Sequence, residues 1–224
     1  YRFVFATILI LIYGLISGKL KFLKFRELLI VAIPGLCFGI DITFWHSSIT
    51  MTSVANATLF INTAPLYVCL FSLIIFKERL NFLSFSGILI MTTSASSFSG
   101  DFYSLGNFLA LLGAFFYAGY LLSVNKLSDR YDIFNLIFYS SLFACIPLGM
   151  GSLLELDRPF PSSYLGWSNF LGQAIFVQIM GQGLVIYGLS KIKPQISSLL
   201  LLFQPVTATI LGVYFFSETL LLGQ

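Results

Sequence analysis

Continuous apolar runs, separated by short polar breaks, make up most of this chain. Several approach or exceed the twenty residues that an α-helix needs to cross the hydrocarbon core of a bilayer. Strands of a membrane barrel would alternate apolar and polar positions over about ten residues, so the pattern predicts helices. The eight predicted spans are Phe3–Ser17, Glu27–Ile49, Val54–Phe76, Phe82–Phe98, Leu105–Val124, Ile133–Leu154, Gly166–Leu189 and Gln195–Phe216.

Basic residues concentrate in every second loop between these predicted spans. Of the 12 Lys and Arg residues, only Arg2 and Arg158 fall on the other side. Because loops rich in Lys and Arg stay in the cytoplasm, we expect the first, third, fifth and seventh loops to be cytoplasmic. Their basic residues are Lys19, Lys21, Lys24, Arg26, Lys77, Arg79, Lys126, Arg130, Lys191 and Lys193.

The composition requires an apolar solvent for much of the surface. The chain is 58% hydrophobic and 9% charged, whereas a soluble domain carries about 25% charged residues. We therefore predict an all-α integral membrane protein with the lipid bilayer as a partner. The net charge of +3 comes with no basic and aromatic patch, so no nucleic-acid partner is expected. The three cysteines lie apart in apolar runs without metal-ligand spacing, and we expect neither a metal nor a cofactor.

An internal repeat emerges when the chain is shifted so that Pro65 falls on Pro205. The same shift takes Glu78 onto Glu218. The loop charges place Glu78 on the cytoplasmic side and Glu218 on the opposite side, so the two copies are inverted. An inverted repeat needs an odd number of helices in each unit, and five fits the spacing. Many secondary transporters are built this way.

The two copies read SVANATLFINTAPLYVCLFSLIIFKERL and KPQISSLLLLFQPVTATILGVYFFSETL. They resemble the EamA-type fold of the drug/metabolite transporter superfamily. The resemblance implies ten helices in two inverted five-helix repeats, here 1–99 and 100–224. The family's first and tenth helices are expected to lie outside this chain. Lys193-Pro194-Gln195 departs from the small residues usual at the start of the second copy.

Two titratable side chains lie deep in the second predicted span, Asp41 and His46. Ionisable groups are costly in a bilayer and often mark a functional site. Asp41 and Trp45 share one helix face because they are four residues apart. In the functional interpretation Asp41 binds a cationic group or a proton, and Trp45 and His46 line the cavity. In the alternative, Asp41 is neutral or hydrogen-bonded to a neighbouring helix, and His46 lies near the outer interface.

Amides, phenols and two prolines supply the other candidates for a central site. Polar groups at this depth either contact the substrate or make hydrogen bonds between helices. The prolines are candidate hinges, with a static kink as the alternative, and Glu78 and Glu218 are expected to be structural. The candidate substrate-binding residues are Asp41, Trp45, His46, Asn56, Asn62, Asn107, Tyr117, Tyr120, Gln178, Gln182 and Gln204, with Gln195 also polar; the candidate hinges are Pro65 and Pro205.

These features predict a secondary active transporter that moves a small polar or amphiphilic metabolite by alternating access. No ATP-binding glycine-rich loop is present, so coupling would use protons or an exchanged solute. The resemblance implies substrates such as an amino acid or an S-adenosylmethionine-like solute. We expect a multi-pass protein of the cell membrane, specifically a bacterial inner membrane, with homodimer formation left open. The alternatives are an intramembrane enzyme, disfavoured because few titratable groups are available, and a non-transporting receptor or scaffold.

Overall fold

The computed structural model describes residues 1–75, 105–154, 163–201 and 203, and regular structure in these ranges is entirely helical. The predicted span Phe82–Phe98 lies outside the described residues, as do Glu78, Gln204, Pro205 and Glu218. The helices are α1 (Arg2–Ser17), α2 (Phe25–Met51), α3 (Val54–Ile61), α4 (Ala64–Ile75), α5 (Leu105–Leu127), α6 (Ile133–Leu154), α7 (Tyr164–Gly172), a π-helical segment (Gln173–Gly181), α8 (Gln182–Lys191) and α9 (Pro194–Leu201).

Five helical stretches in the described ranges are long and apolar enough to cross a membrane. α1 is a further apolar helix of 16 residues. In its described residues, the chain is thus an all-helical, multi-pass membrane protein. The full count of eight spans remains a prediction. The five stretches are Phe25–Met51, Asn56–Ile74, Leu105–Leu127, Ile133–Leu153 and Tyr164–Lys191.

α2 is the central helix of the described fold, in contact with both α5 and α6. Gly35 and Gly39 of α2 allow the backbone of α6 to come into direct contact with the backbone of α2. A methyl group at Gly35 would lie 2.7 Å from the carbonyl oxygen of Ser140, and one at Gly39 would lie 2.6 Å from that of Ala144. Small residues four apart are a common helix-packing device in membranes, where close van der Waals contact replaces the hydrophobic effect. This packing fixes α2 against α6.

The other side of α2 packs on a strip of small residues along α5. Ala110, Ala114 and Ala118 are fully buried there. A methyl group at Gly106 would lie 3.0 Å from the backbone carbon of Met51, at the end of α2. The helices can therefore run close together over much of their length, which holds the middle of α2 against α5.

The third predicted span is interrupted immediately before its proline. α3 ends at Ile61, Asn62 caps it, and α4 begins at Ala64 with Pro65 in its first turn. Proline is well tolerated in a first turn because the N–H groups there have no partner within the helix. Since Pro65 has no N–H to donate to the carbonyl of Ile61, one helical hydrogen bond is missing at this point. The discontinuity lies where the sequence predicted a bend.

Three of the basic loops meet at one end of the molecule. The backbone N–H of Lys21 donates to Oδ1 of Asn135 at 2.9 Å, which joins the first loop to the start of α6. Nδ2 of Asn125, near the end of α5, donates to the carbonyl oxygens of Leu189 at 2.5 Å and Ile192 at 3.3 Å. The first, fifth and seventh loops therefore share one face, as the charge pattern predicts. The third loop lies outside the described ranges.

Candidate functional site

Asp41 lies midway along α2 and is 6% exposed. Its carboxylate faces α5, where a methyl group at Gly113 would lie 3.2 Å from Oδ1 of Asp41 and 2.8 Å from Cδ1 of Ile61. Gly113 thus allows α5 to pack closely against Asp41 and Ile61. Within the described part of the chain, Oδ1 of Asp41 has no hydrogen-bond partner. A buried polar atom in this state is costly, and in a native protein it calls for an explanation such as a ligand, a proton or an ion.

Aromatic rings form a wall next to this carboxylate. The ring of Tyr120 stacks on Phe38 with centroids 4.6 Å apart, and Tyr117 lies nearly parallel to Tyr120 at 6.0 Å. Tyr120 is fully buried in the middle, whereas Tyr117 is only partly buried. Tyr117 and Cys37 are both close enough to Asp41 to interact with it electrostatically. Tyr117 is therefore the partly exposed member of this stack.

No positive charge is found against Asp41 among the residues that the structure describes. The basic side chains there belong to the loops and helix ends, including Arg2 at the start of α1. His46, one turn further along α2, is exposed, and its ring meets the edge of Trp45 at 5.2 Å. Within the described ranges, His, Cys, Asp and Glu side chains form no group of three that could hold a metal ion. Asp41 is thus a carboxylate without a protein counter-ion in this part of the molecule.

The two glutamines of the seventh predicted span make hydrogen bonds between helices. Nε2 of Gln182 donates to the Tyr120 hydroxyl at 2.6 Å, and Nε2 of Gln178 donates to Oγ of Ser141 at 3.1 Å. The π-helical segment lies between α7 and α8 and contains Gln178. Such segments often occur at functional sites. Gln182 approaches the aromatic wall through Tyr120, whereas Gln178 connects to α6.

Two further candidates, Asn56 and Asn107, lie at the helix end away from the basic loops. Oγ1 of Thr52 donates to Oδ1 of Asn107 at 2.9 Å, and Nδ2 of Asn56 lies 3.5 Å from Oγ1 of Thr52. This network joins the end of α2 to the start of α5. It fits the interhelical alternative for Asn107 and Asn56. Asn62 lies at the break between α3 and α4.

Sequence reasoning did not identify Gly113, Phe38 or Cys37 as neighbours of Asp41. Cys37 precedes Asp41 by one helical turn, so its place on the same face could have been predicted. Phe38 and Gly113 could not, because helix periodicity does not specify which neighbouring helix a face meets. The fold brings together Asp41, Tyr117 and Tyr120 and places Asn56 and Asn107 elsewhere.

The described helices and the buried mid-span carboxylate define a multi-pass membrane protein, and its sequence matches a known family. Residues 1–99 and 104–224 match the EamA-like transporter family. The chain therefore belongs to that family, which is the EamA type of the drug/metabolite transporter superfamily.

Two curated relatives are similar over most of this chain. The pseudopaline exporter CntI of Pseudomonas aeruginosa is 24% identical over 177 residues, which are 77% of this chain and 61% of the exporter. An uncharacterized transporter of Archaeoglobus fulgidus is 24% identical over 193 residues, or 83% of this chain and 67% of that protein. The chain thus spans less than two thirds of the exporter's length.

A solved crystal structure has the same fold. It superposes with a TM-score of 0.75 at 18% sequence identity, covering 99% of this chain and 80% of the solved one. At this level of identity the likeness concerns the fold alone.

Proposed function

We propose that the protein is a secondary active transporter that moves a small polar or amphiphilic metabolite by alternating access. The observation that carries the proposal is Asp41, a buried mid-span carboxylate whose Oδ1 has no hydrogen-bond partner in the described part of the chain. A group this costly to bury is retained where it binds a cation, a proton or a substrate. Membership of a transporter family supports the same conclusion.

The proposal includes the ten-helix arrangement of two inverted five-helix repeats, 1–99 and 100–224. Helix boundaries in the described residues agree with the sequence repeat. The shift that takes Pro65 to Pro205 also takes the end of α2, Met51, to the end of α8, Lys191. It takes the start of α3, Val54, to the start of α9, Pro194. In this arrangement the basic loops face the cytoplasm of a bacterial cell, and the protein lies in the inner membrane.

Two kinds of coupling are compatible with this site. A proton could bind Asp41 in alternation with the substrate, or a second solute could be exchanged for the first. The protein is proposed to act without catalysing a chemical reaction. The relative named as a pseudopaline exporter supports outward transport of a metabolite as one form of this function.

A counterflow experiment tests the proposal. The full-length protein is reconstituted into proteoliposomes loaded with a mixture of metabolites, and the external solution is analysed by mass spectrometry. We expect at least one metabolite to exchange faster than in protein-free liposomes. If no solute crosses under either a proton gradient or exchange conditions, the transporter proposal is wrong.

A further inference from the structure

The chemistry around Asp41 restricts the substrates that the site can take. We infer that the site binds an organic cation, with the positive group at Oδ1 of Asp41 and an adjoining apolar or flat portion against the ring of Tyr117. This inference rests on the proposed transport function and deepens it by naming a substrate class. It does not specify the compound.

The first argument is the charge balance of the site. Oδ1 of Asp41 is buried and lacks a hydrogen-bond partner among the described residues. No Lys or Arg in those residues lies against it. A buried carboxylate without a counter-ion needs one from the ligand or from a proton. An anionic substrate would add a second negative charge, with no cation among the described residues to compensate either one.

The second argument is the nature of the surrounding surface. Phe38, three residues before Asp41 on α2, stacks on Tyr120, and Tyr117 is the partly buried ring at the other end of this stack. Aromatic faces attract cations through their quadrupole, and the attraction is stronger where water is excluded. The Tyr120 hydroxyl already accepts a hydrogen bond from Gln182. A carboxylate and a ring are together suited to an alkylated or aromatic cation.

The third argument is the close contact between the carboxylate and α5. A methyl group at Gly113 would lie 3.2 Å from Oδ1 of Asp41, which is closer than ordinary van der Waals contact. Glycine at this position therefore lets Oδ1 keep its place in the site, and a larger residue would displace it. Gly119, on the same helix, offers a matched comparison because a methyl group there meets only Sγ of Cys37, at 3.4 Å.

The test measures binding of three compounds of similar shape and different charge. They are phenethyltrimethylammonium, the uncharged 2-methyl-4-phenylbutan-2-ol and the anionic 2-phenylethanesulfonate. Equilibrium dialysis with the purified full-length protein gives each affinity. We expect the cation to bind about tenfold or more tightly than the alcohol, and the sulfonate to bind most weakly, because both the carboxylate and the ring favour positive charge.

Four variants assign the binding to this site. Asp41→Asn should lower the affinity for the cation about tenfold and change that for the alcohol little, since only the charge is removed. Tyr117→Leu should weaken cation binding about threefold or more. Gly113→Ala should weaken it as well, whereas Gly119→Ala should retain the wild-type affinity. Monodisperse elution in detergent checks that each variant is folded.

Three results would overturn the inference. They are failure of the cation to bind, equal affinity for cation and alcohol, and unchanged cation affinity in Asp41→Asn. The counterflow assay separates this failure from failure of the proposed function. Exchange of a neutral or anionic metabolite without cation binding would leave a transporter with another substrate class. Cation binding without exchange of any solute would leave a cation site in a protein that does not transport.

Discussion

The polar candidate side chains form two groups: those that have hydrogen-bond partners and those that lack one among the described residues. Gln178, Gln182 and Asn107 have hydrogen-bond partners on other helices, whereas Oδ1 of Asp41 has none among the described residues. The sequence placed all of them at depth in the membrane. The sequence could not show which of these side chains form hydrogen bonds between helices. Such bonds depend on how the helices pack, and residue spacing along one helix does not determine that packing.

The first prediction concerns the hydrogen bond between Gln182 and Tyr120. Comparing Gln182→Leu, Tyr120→Phe and the double variant should give a coupling energy of about 0.6 kcal/mol, the average for such bonds between membrane helices. Unfolding in mixed detergent micelles provides the free energies. A coupling energy indistinguishable from zero would show that the two residues do not stabilise each other.

At the level of helices, the sequence predicted some of the breaks and close contacts and missed others. The proline repeat predicted a bend near Pro65, and the helix is interrupted at Asn62 and Thr63. The π-helical segment Gln173–Gly181 was not predicted, because its residues are as apolar as those of an ordinary span. The approach of Gly39 to α6 was also missed, although the spacing of Gly35 and Gly39 is a sequence signal for it.

The second prediction concerns the contact between α2 and α6. Gly39→Val should reduce thermal stability strongly, because even its Cβ would lie 2.6 Å from the carbonyl oxygen of Ala144. Gly149→Ala on α6 is the control, since a methyl group there lies more than 4 Å from every described side chain and from the backbone of the other helices. The fraction remaining monodisperse after heating in detergent reports the effect. Equal stability of the two variants would contradict the packing described for α2.

The third prediction concerns the paired prolines. Pro65→Ala restores an N–H that can bond the carbonyl of Ile61, and so should straighten the break between α3 and α4. Because Pro205 occupies the equivalent position in the proposed inverted copy, Pro205→Ala should favour the opposite access state. Labelling of cavity cysteines from each side of the membrane measures the bias. If both variants shift the access state in the same direction, or if neither variant shifts it, the prolines serve packing alone.

The whole molecule is asymmetric in charge from one end to the other. Three basic loops lie at a single face. The hydrogen bond from Lys21 to Asn135 and the one from Asn125 to Ile192 hold them there. Charge patterning predicted this grouping because membrane insertion, rather than packing, sets it. The complete inverted arrangement could be predicted only from the repeat, since most of the predicted span Gln195–Phe216, including Pro205, lies outside the described residues.

The fourth prediction concerns this orientation. In intact cells, cysteines introduced at Lys21, Arg79 and Arg130 should resist an impermeant thiol reagent, because basic loops remain inside. Cysteines near Gly100 and Pro159 should react with it. The native cysteines are first replaced by alanine as a background control. Reaction at both sets of positions from outside would remove the topology on which the inverted repeat depends.

Transport through the Asp41 site is the central claim, and solute flux in the wild type and in Asp41→Asn tests it most directly. Both full-length proteins are reconstituted at equal density, and exchange of the metabolite found by counterflow is measured with and without a pH gradient. The amide keeps the shape of the carboxylate and removes its charge. We expect exchange to fall about tenfold or more and any response to the pH gradient to disappear. Wild-type flux with an unchanged pH response in Asp41→Asn would contradict the role assigned to this residue.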